Sequence, residues 1–245
     1  MKKLVITKKA TETELYQDKV TKLLETHGIQ AQNISLYILA FIHRSIVNER
    51  NDFTPEHNER LEFLGDAVLE LAITEKLYQE YPEKQEWELT DMRSALVRGR
   101  NLAQVAKNLD FQEYLFLGKW EEKSWGRQND YILANTLEAF IWALYLDTGI
   151  DTTRDFILKY IYSSLPNILK LKLFKDFKTL LQEYTQAEKD ITPHYEVLED
   201  FGPDHDKSFL VWAYLWTQKI GEWRGTSKKK AQEKAAENAY LELTT

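Results

Sequence analysis

The 245-residue chain is 43% apolar and 29% charged, the balance of a soluble globular protein, with room for one or two domains and a real core. It has no cysteine, which excludes a disulfide framework and a thiolate metal site. Its net charge of −7 argues weakly against a nucleic-acid partner, because duplexes attract basic proteins.

The start, MKKLVITKKATETELY, is basic but lacks an apolar stretch long enough for a signal peptide. The longest apolar run, residues 36–42, is too short to span a membrane, so cytoplasm is the expected compartment. Residues 12–48 read as helices, with ISLYILAFIHRSIVNE at helical spacing and a turn-rich end near Asn51–Pro55. HNERLEFLGDAVLEL, residues 57–71, opens a helix over 58–80 that Pro82 closes. It places Glu59, Glu62 and Asp66 at i, i+3 and i+7, on one face. Leu61, Leu64, Val68 and Leu71 form a second, apolar face, and Gly65 allows close approach of another backbone or a ligand. Carboxylates that close repel one another unless a cation sits between them, and oxygen-only clusters favour Mg²⁺ or Mn²⁺. An amphipathic core helix with an acidic rim explains the spacing equally well.

LTDMRSALVRGRNLAQVAKNL, residues 89–109, reads as a further helix with Thr90 or Asp91 as N-cap. Its Arg93, Arg98 and Arg100 could face phosphates or line a solvated face. Residues 118–128 are polar and turn-like. NDYILANTLEAFIWALYLDTG, residues 129–149, is a strongly apolar helix carrying Asn135 and Glu138 at i, i+3. A carboxylate inside so apolar a face needs a partner, and the expected one is the cation of Glu62 and Asp66.

Residues 166–175, after Pro166, look like a hinge. DFKTLLQEYTQ (176–186) is then a short helix, and HYEVLED, SFLVWAYLW and QKIGEWRG alternate as three strands. TSKKKAQEKAAENAYLEL (226–243) is an alanine-rich helix with Thr226 or Ser227 as N-cap. Between His205 and Lys234 there are seven Lys/Arg against three Asp/Glu, so this end is locally basic.

Residues 58–66, Asn-Glu-Arg-Leu-Glu-Phe-Leu-Gly-Asp, match at every position the signature helix of the ribonuclease III family, Mg²⁺-dependent endonucleases that cut double-stranded RNA. His43-Arg44-Ser45 resembles the family motif that lies near that helix, although a helix end with a cation favoured by the dipole explains His43 equally well. The α-β-β-β-α order after residue 176, with KTLLQEYTQ, GPDHDK and SKKKAQEKAA in sequence, is similar to a double-stranded-RNA-binding domain. The resemblance covers residues 14–245. It implies an all-α nuclease domain over 12–165, a linker over 166–175, and a small α+β RNA-binding domain over 176–245.

The resemblance also assigns roles. Glu62, Asp66, Asn135 and Glu138 would hold Mg²⁺, with Mn²⁺ as a substitute. Asp66 and Glu138 would be catalytic, and Glu59 a supporting acid. The enzyme would be a homodimer in which Phe63 packs into the partner subunit; core packing within one subunit is the alternative for that ring. Two acidic clusters would face the two strands of one duplex. Metal-activated water would hydrolyse the phosphodiester without a side-chain nucleophile, leaving 5′ phosphates and short 3′ overhangs. Lys228 and Lys229, preceded by Ser227, would bind phosphates across the major groove. Thr179, Gln182, Glu183 and His205 would reach the minor groove, where 2′-hydroxyls are exposed. Structured precursors such as rRNA and mRNA are the expected substrates.

Two features depart from the family. It normally has Asp where this chain has Asn135, which keeps a carbonyl oxygen but brings no charge. The alternative function is therefore a double-stranded-RNA-binding protein with an impaired nuclease site. The seven tryptophans are also oddly placed. Trp87, Trp120, Trp125 and Trp223 sit in polar, turn-like contexts, where positive φ wants glycine. The family typically has Gly at Trp87, Trp120, Trp125, Trp142, Trp216 and Trp223, and often at Trp212. One hypothesis is that these are UGA codons that the source organism reads as glycine, in which case Trp142 would overfill a tight helix contact. The other is a lineage with unusual aromatic surface.

Overall fold

The computed structural model describes residues 10–49, 56–170, 177–202 and 207–244. The chain divides into two compact units, Met1–Leu171 and Lys172–Thr245.

The first unit is helical. In chain order it has α1 (Ala10–Thr26), α2 (Ile34–Ala40), α3 (Arg44–Glu49), α4 (Glu59–Glu80), α5 (Glu86–Val97), α6 (Gly99–Asn108), α7 (Lys119–Lys123), α8 (Asp130–Thr148), α9 (Ile150–Tyr160) and α10 (Leu165–Lys170). Helix α8 is its hub. Ile132, Leu133, Leu137, Phe140, Ile141 and Leu144 are all buried and, with Ala134, Thr136, Ala139 and Ala143, cover more than half of its circumference, leaving Tyr131, Asn135, Glu138 and Trp142 together on the remaining face. Asn129 starts it by accepting a hydrogen bond from the Tyr131 N–H at 2.9 Å, and Gly149 ends it at φ 83°.

Helix α4 lays Leu61, Gly65, Val68, Leu69, Ala72, Ile73 and Leu77 into the core. This corrects the expected apolar face, because Leu64 and Leu71 stand exposed while Leu61 and Val68 are buried. Gly65 makes the difference. Two helix backbones meet where the smallest side chain lets them, and the buried stripe is centred on that line.

Two expected helices are interrupted. Residues 34–49 break at 41–43, where Ile42 forms a parallel bridge with Phe116. The Phe116 N–H donates to the Phe41 carbonyl at 2.9 Å, the His43 N–H to Phe116 at 3.1 Å, and the Asn58 N–H to Ile42 at 2.9 Å. His43 therefore lies just before α3, not at a helix C-terminus where the dipole would favour a cation. The second interruption is at Arg98, extended at ψ 132°, which separates α5 from α6. The first of these starts at Gln85 rather than Thr90 or Asp91, and the Glu88 carboxylate accepts the Gln85 N–H at 3.0 Å. Helix α10 occupies the first half of the segment expected as a hinge. Pro166 sits in its first turn, where a missing N–H loses no helical partner, and Leu165 and Ile168 are buried.

The second unit is α11 (Phe177–Lys189), β1 (His194–Phe201), β2 (Ser208–Leu215), β3 (Gln218–Gly225) and α12 (Lys228–Thr244), with an antiparallel sheet in the order β1-β2-β3. Val211, Ala213 and Leu215 alternate inward along β2 and meet Leu181, Ile220 and four alanines of α12. A Cβ on Gly221 would stand 2.4 Å from the Ala235 carbonyl oxygen, so helix and strand touch backbone to backbone.

Trp216 and Thr217 form the two-residue loop between β2 and β3, and Trp216 has φ 54°. Positive φ at the first of two loop residues is the pattern that glycine occupies in hairpins. A bulky residue there is strained by about 1–2 kcal/mol. Trp216→Gly is expected to stabilise the chain by roughly 0.5–1 kcal/mol after glycine's larger unfolded-state entropy is subtracted. Urea unfolding of the full chain measures this, and an unchanged or lower midpoint would mean the turn carries no strain. Trp142 does not overfill a contact: it is half-buried and stacks on Tyr145 with ring centroids 4.9 Å apart. Among the described residues, no helix is long and apolar enough to cross a membrane.

Candidate functional site

The closest contact between α4 and α8 fixes the site. An ideal Cβ on Gly65 would lie 1.8 Å from the Glu138 carbonyl oxygen. The residues flanking that contact on α4 are Glu62 and Asp66; those on α8 are Asn135 and Glu138. All four line one cavity of about 500 Å³, together with Glu59, His43 and Arg44. The metal-ligand candidates thus share one site, although they come from two helices far apart in sequence.

Its electrostatics are those of crowded, partly buried acids. Burial raises the Glu138 carboxyl pKa to about 8, and the neighbouring charges of Asp66 and Glu62 add to the rise. Burial also raises Glu62, as do Glu59 and Asp66, while a hydrogen bond with the Asn135 side chain opposes the shift. Asn135 therefore already serves one carboxylate, a contact that an Asp could make only when protonated. Glu59 is turned to the rim, where its carboxylate pairs with Arg44 at 3.2 Å.

The donor set is all oxygen: three carboxylates and an amide carbonyl. It suits a hard cation, and a cation would answer the raised pKa of Glu138. Among the described residues, no three Asp, Glu or His side chains stand close enough to form a finished metal-ligand group. The residues fit Mg²⁺ or Mn²⁺ by chemistry and by their common cavity.

Other lining residues were less visible in the sequence. Asn58 is buried and anchors the start of α4, its Nδ2 donating to the Ala40 carbonyl at 3.1 Å. Tyr131, four residues before Asn135 and so on the same helical face, also borders the cavity, as does Ile132. His43 Nδ1 lies 2.8 Å from the Ser45 hydroxyl and accepts the Ser45 N–H at 3.3 Å. The Ser45 hydroxyl in turn accepts the Gly118 N–H at 2.8 Å. Of the three arginines on 89–109, Arg93 donates to Thr74 at 3.2 Å, and none of them lines the acidic cavity.

In the second unit, Thr179, Gln182 and Glu183 are exposed on α11 at i, i+3 and i+4, opposite the buried Leu180 and Leu181. Ser227 caps α12, its hydroxyl accepting the Lys230 N–H at 3.2 Å, so the cap is Ser227 rather than Thr226. Lys228 and Lys229 are exposed on the first turn of that helix. The Lys228 ammonium stands 5.6 Å from the centre of the Phe209 ring, and no described carboxylate pairs with either lysine. His205 lies outside the described residues.

Residues 33–165 match the Ribonuclease-III-like family and residues 177–243 the double-stranded RNA binding motif. The chain is 41% identical to ribonuclease 3 of Desulforamulus reducens over 93% of both chains. It is 42% identical to ribonuclease 3 of Streptococcus pyogenes, over 92% of this chain and 98% of that one. The nuclease domain of ribonuclease III from Campylobacter jejuni, a structure described for flexibility in its dimer-forming region, is 32% identical. It superposes with a TM-score of 0.55, covering 60% of this chain and 99% of its own.

Proposed function

The chain belongs to the ribonuclease III family, and we propose that it is a homodimeric, Mg²⁺-dependent endoribonuclease that cuts double-stranded RNA in the cytoplasm. The observation that carries this reading is the convergence of Glu62, Asp66, Asn135 and Glu138 on one cavity around the Gly65 contact. Glu62, Asp66, Asn135 and Glu138 would hold the ion, with Asp66 and Glu138 the catalytic pair. When bound, the ion supplies an activated water and offsets charge building on the phosphate and the leaving 3′ oxygen. The chain's part is to place the acids on two rigid helices whose backbones touch, so that their spacing is set by packing and not by loops. Products are RNA ends with 5′ phosphates, and structured precursors of rRNA and mRNA are the substrates.

An exposed apolar stripe supports the dimer. Phe63, Ala67, Leu71 and Tyr78 recur along the outer face of α4, and Phe63 is 77% exposed. A ring that open contributes nothing to the core of its own subunit, and such stripes mark protein interfaces. The RNA-binding unit, residues 176–245, meets A-form duplex through α11 (Thr179, Gln182 and Glu183), His205, and the Ser227-capped start of α12 with Lys228 and Lys229.

The direct test is cleavage of a long RNA duplex by the full chain with Mg²⁺ and with a chelator. Metal-dependent cutting to 5′-phosphate products is expected; no cutting at any Mg²⁺ concentration would sink the enzyme reading. Asn135 favours a second reading, a double-stranded-RNA-binding protein whose nuclease site is impaired, and binding without cutting would select it.

Replacing both Lys228 and Lys229 by Ala is expected to weaken duplex binding across all sequences. It should also reduce the slope of log affinity against log salt by about 2, one for each phosphate left unneutralised. Titration at several salt concentrations, with Ca²⁺ in place of Mg²⁺, gives that slope. An unchanged slope would show that these lysines do not touch phosphate.

A further inference from the structure

We propose that His43 positions the RNA strand, its Nε2–H donating a hydrogen bond to a phosphate oxygen in the acidic cavity. This rests on the ribonuclease reading above. The hydrogen-bond network favours one tautomer. Nδ1 accepts the Ser45 N–H at 3.3 Å, so it carries no proton. The Ser45 hydroxyl already accepts the Gly118 N–H, which leaves its own proton for Nδ1 at 2.8 Å. With Nδ1 an acceptor, the neutral ring must hold its proton on Nε2. No described residue takes that N–H, while the ring lines the cavity and its backbone is tied to Phe116 at 3.1 Å. Arg44 beside it is engaged by Glu59. His43 is thus a neutral donor held at a cavity rich in carboxylates, and phosphate oxygens are the acceptors an RNA strand brings there.

The test is steady-state cleavage by the full chain with His43→Ala, His43→Gln and His43→Asn. His43→Ala should lower kcat/KM by about 10–100-fold, the loss of one hydrogen bond to a charged group, with an unchanged Mg²⁺ requirement. His43→Gln, whose amide nitrogen can reach the place of Nε2, should recover part of this; the shorter Asn should not. Activity of His43→Ala equal to the parent, or a loss cured by more Mg²⁺, would overturn the role, the latter because His43 would then be holding the acids. An inactive parent would sink the ribonuclease reading itself, and this role with it.

Different observations, independent of activity, carry a second inference. We infer that the seven tryptophans stand at UGA codons that the source cell reads as glycine. Among the described residues the non-glycine positions at positive φ are Asp110, Trp125, Asp190 and Trp216. Aspartate tolerates that conformation; tryptophan has no reason to adopt it, and here it does so twice. Both rings gain little by burial, being 78% and 73% exposed, and Trp120 is 76% exposed. In β2, Trp212 has its indole N–H buried without a partner, although a buried indole normally finds one. The chain has nine glycines, well under the ordinary share of about 7%. Counting the seven tryptophans as glycine brings it to that share. UGA lies one base from the tryptophan codon UGG and one base from the glycine codon GGA. A single reassigned codon therefore accounts for all seven positions, and it implies a glycine-charged tRNA that pairs with UGA.

The test is to read the seven codons in the coding DNA and to identify the residues by peptide mass spectrometry of the protein from its own cells. UGA at these positions with glycine in the peptides is expected. UGG at four or more of the seven, or tryptophan in the peptides whatever the codon, would overturn the inference.

Discussion

Gly65→Ala is expected to unfold the first unit's central contact and to silence the site with it. The added methyl carbon would stand 1.8 Å from the Glu138 carbonyl oxygen and 2.5 Å from its carbon, both backbone atoms that no rotamer change can move. Helices α4 and α8 must therefore separate. Overpacking of this kind costs about 1–3 kcal/mol and more when the obstacle is backbone. Alanine's better helix propensity returns only about 1 kcal/mol. A net loss of roughly 3 kcal/mol corresponds to a melting temperature lower by about 6–12 °C. Whatever protein remains folded has Glu62 and Asp66 displaced from Asn135 and Glu138, and a shift of about 1 Å can cost 100-fold in rate. Gly99→Ala is the control, since its Cβ would meet nothing nearer than the Ala134 Cβ at 3.9 Å. Calorimetry and duplex cleavage on both variants decide the matter. A Gly65→Ala protein as stable and active as Gly99→Ala would show that the helices do not meet at residue 65.

The acidic site was legible because its parts follow local rules. Glu59, Glu62 and Asp66 share a helical face by spacing alone, and a carboxylate in the apolar run around Glu138 announces a missing partner. The sheet unit was legible for the same reason, since strand alternation and an alanine-rich helix are short-range signals. What escaped were features set by distant residues. The break at 41–43 exists because Phe116 supplies hydrogen bonds from another part of the chain, and nothing in the apolar run LYILAFI forecasts it. Leu64 and Leu71 fit a helical core pattern, yet the line of burial is drawn by the Gly65 contact with α8. The capping pair Gln85–Glu88 was hidden because glutamine is an uncommon N-cap, and local preference points instead to the more usual Thr90 or Asp91. His43 carried only a motif resemblance, since the Gly118 N–H that holds the Ser45 hydroxyl beside its ring comes from another part of the chain.

Glu138→Ala is expected to abolish cleavage while leaving duplex binding intact, and Asn135→Asp to lower the Mg²⁺ concentration that cleavage needs. Glu138 is the most buried acid of the site, and only a cation could keep it ionised at neutral pH against the charges of Asp66 and Glu62. Removing it takes away a ligand and leaves an apolar gap, so the loss should exceed the roughly 10–100-fold typical of changes one shell further out. The unit with α11 and α12 is untouched, so affinity for duplex in Ca²⁺ should stay within about 2-fold. Asn135→Asp works in the opposite sense. It replaces the amide that hydrogen-bonds Glu62 by a fifth carboxylate in the same cavity, beside Glu59, Glu62, Asp66 and Glu138. Without metal, that repulsion should lower the melting temperature; with metal, the added charge should lower the Mg²⁺ concentration for half-maximal cleavage by about 10-fold. The two readings of the chain separate here. A parent that cuts, with Asn135→Asp needing less Mg²⁺, makes Asn135 a working ligand of an active nuclease. A parent that binds but cuts only after Asn135→Asp makes the amide the reason for a binding protein. Cleavage by Glu138→Ala at the parent's rate would remove the acidic cavity from the chemistry altogether.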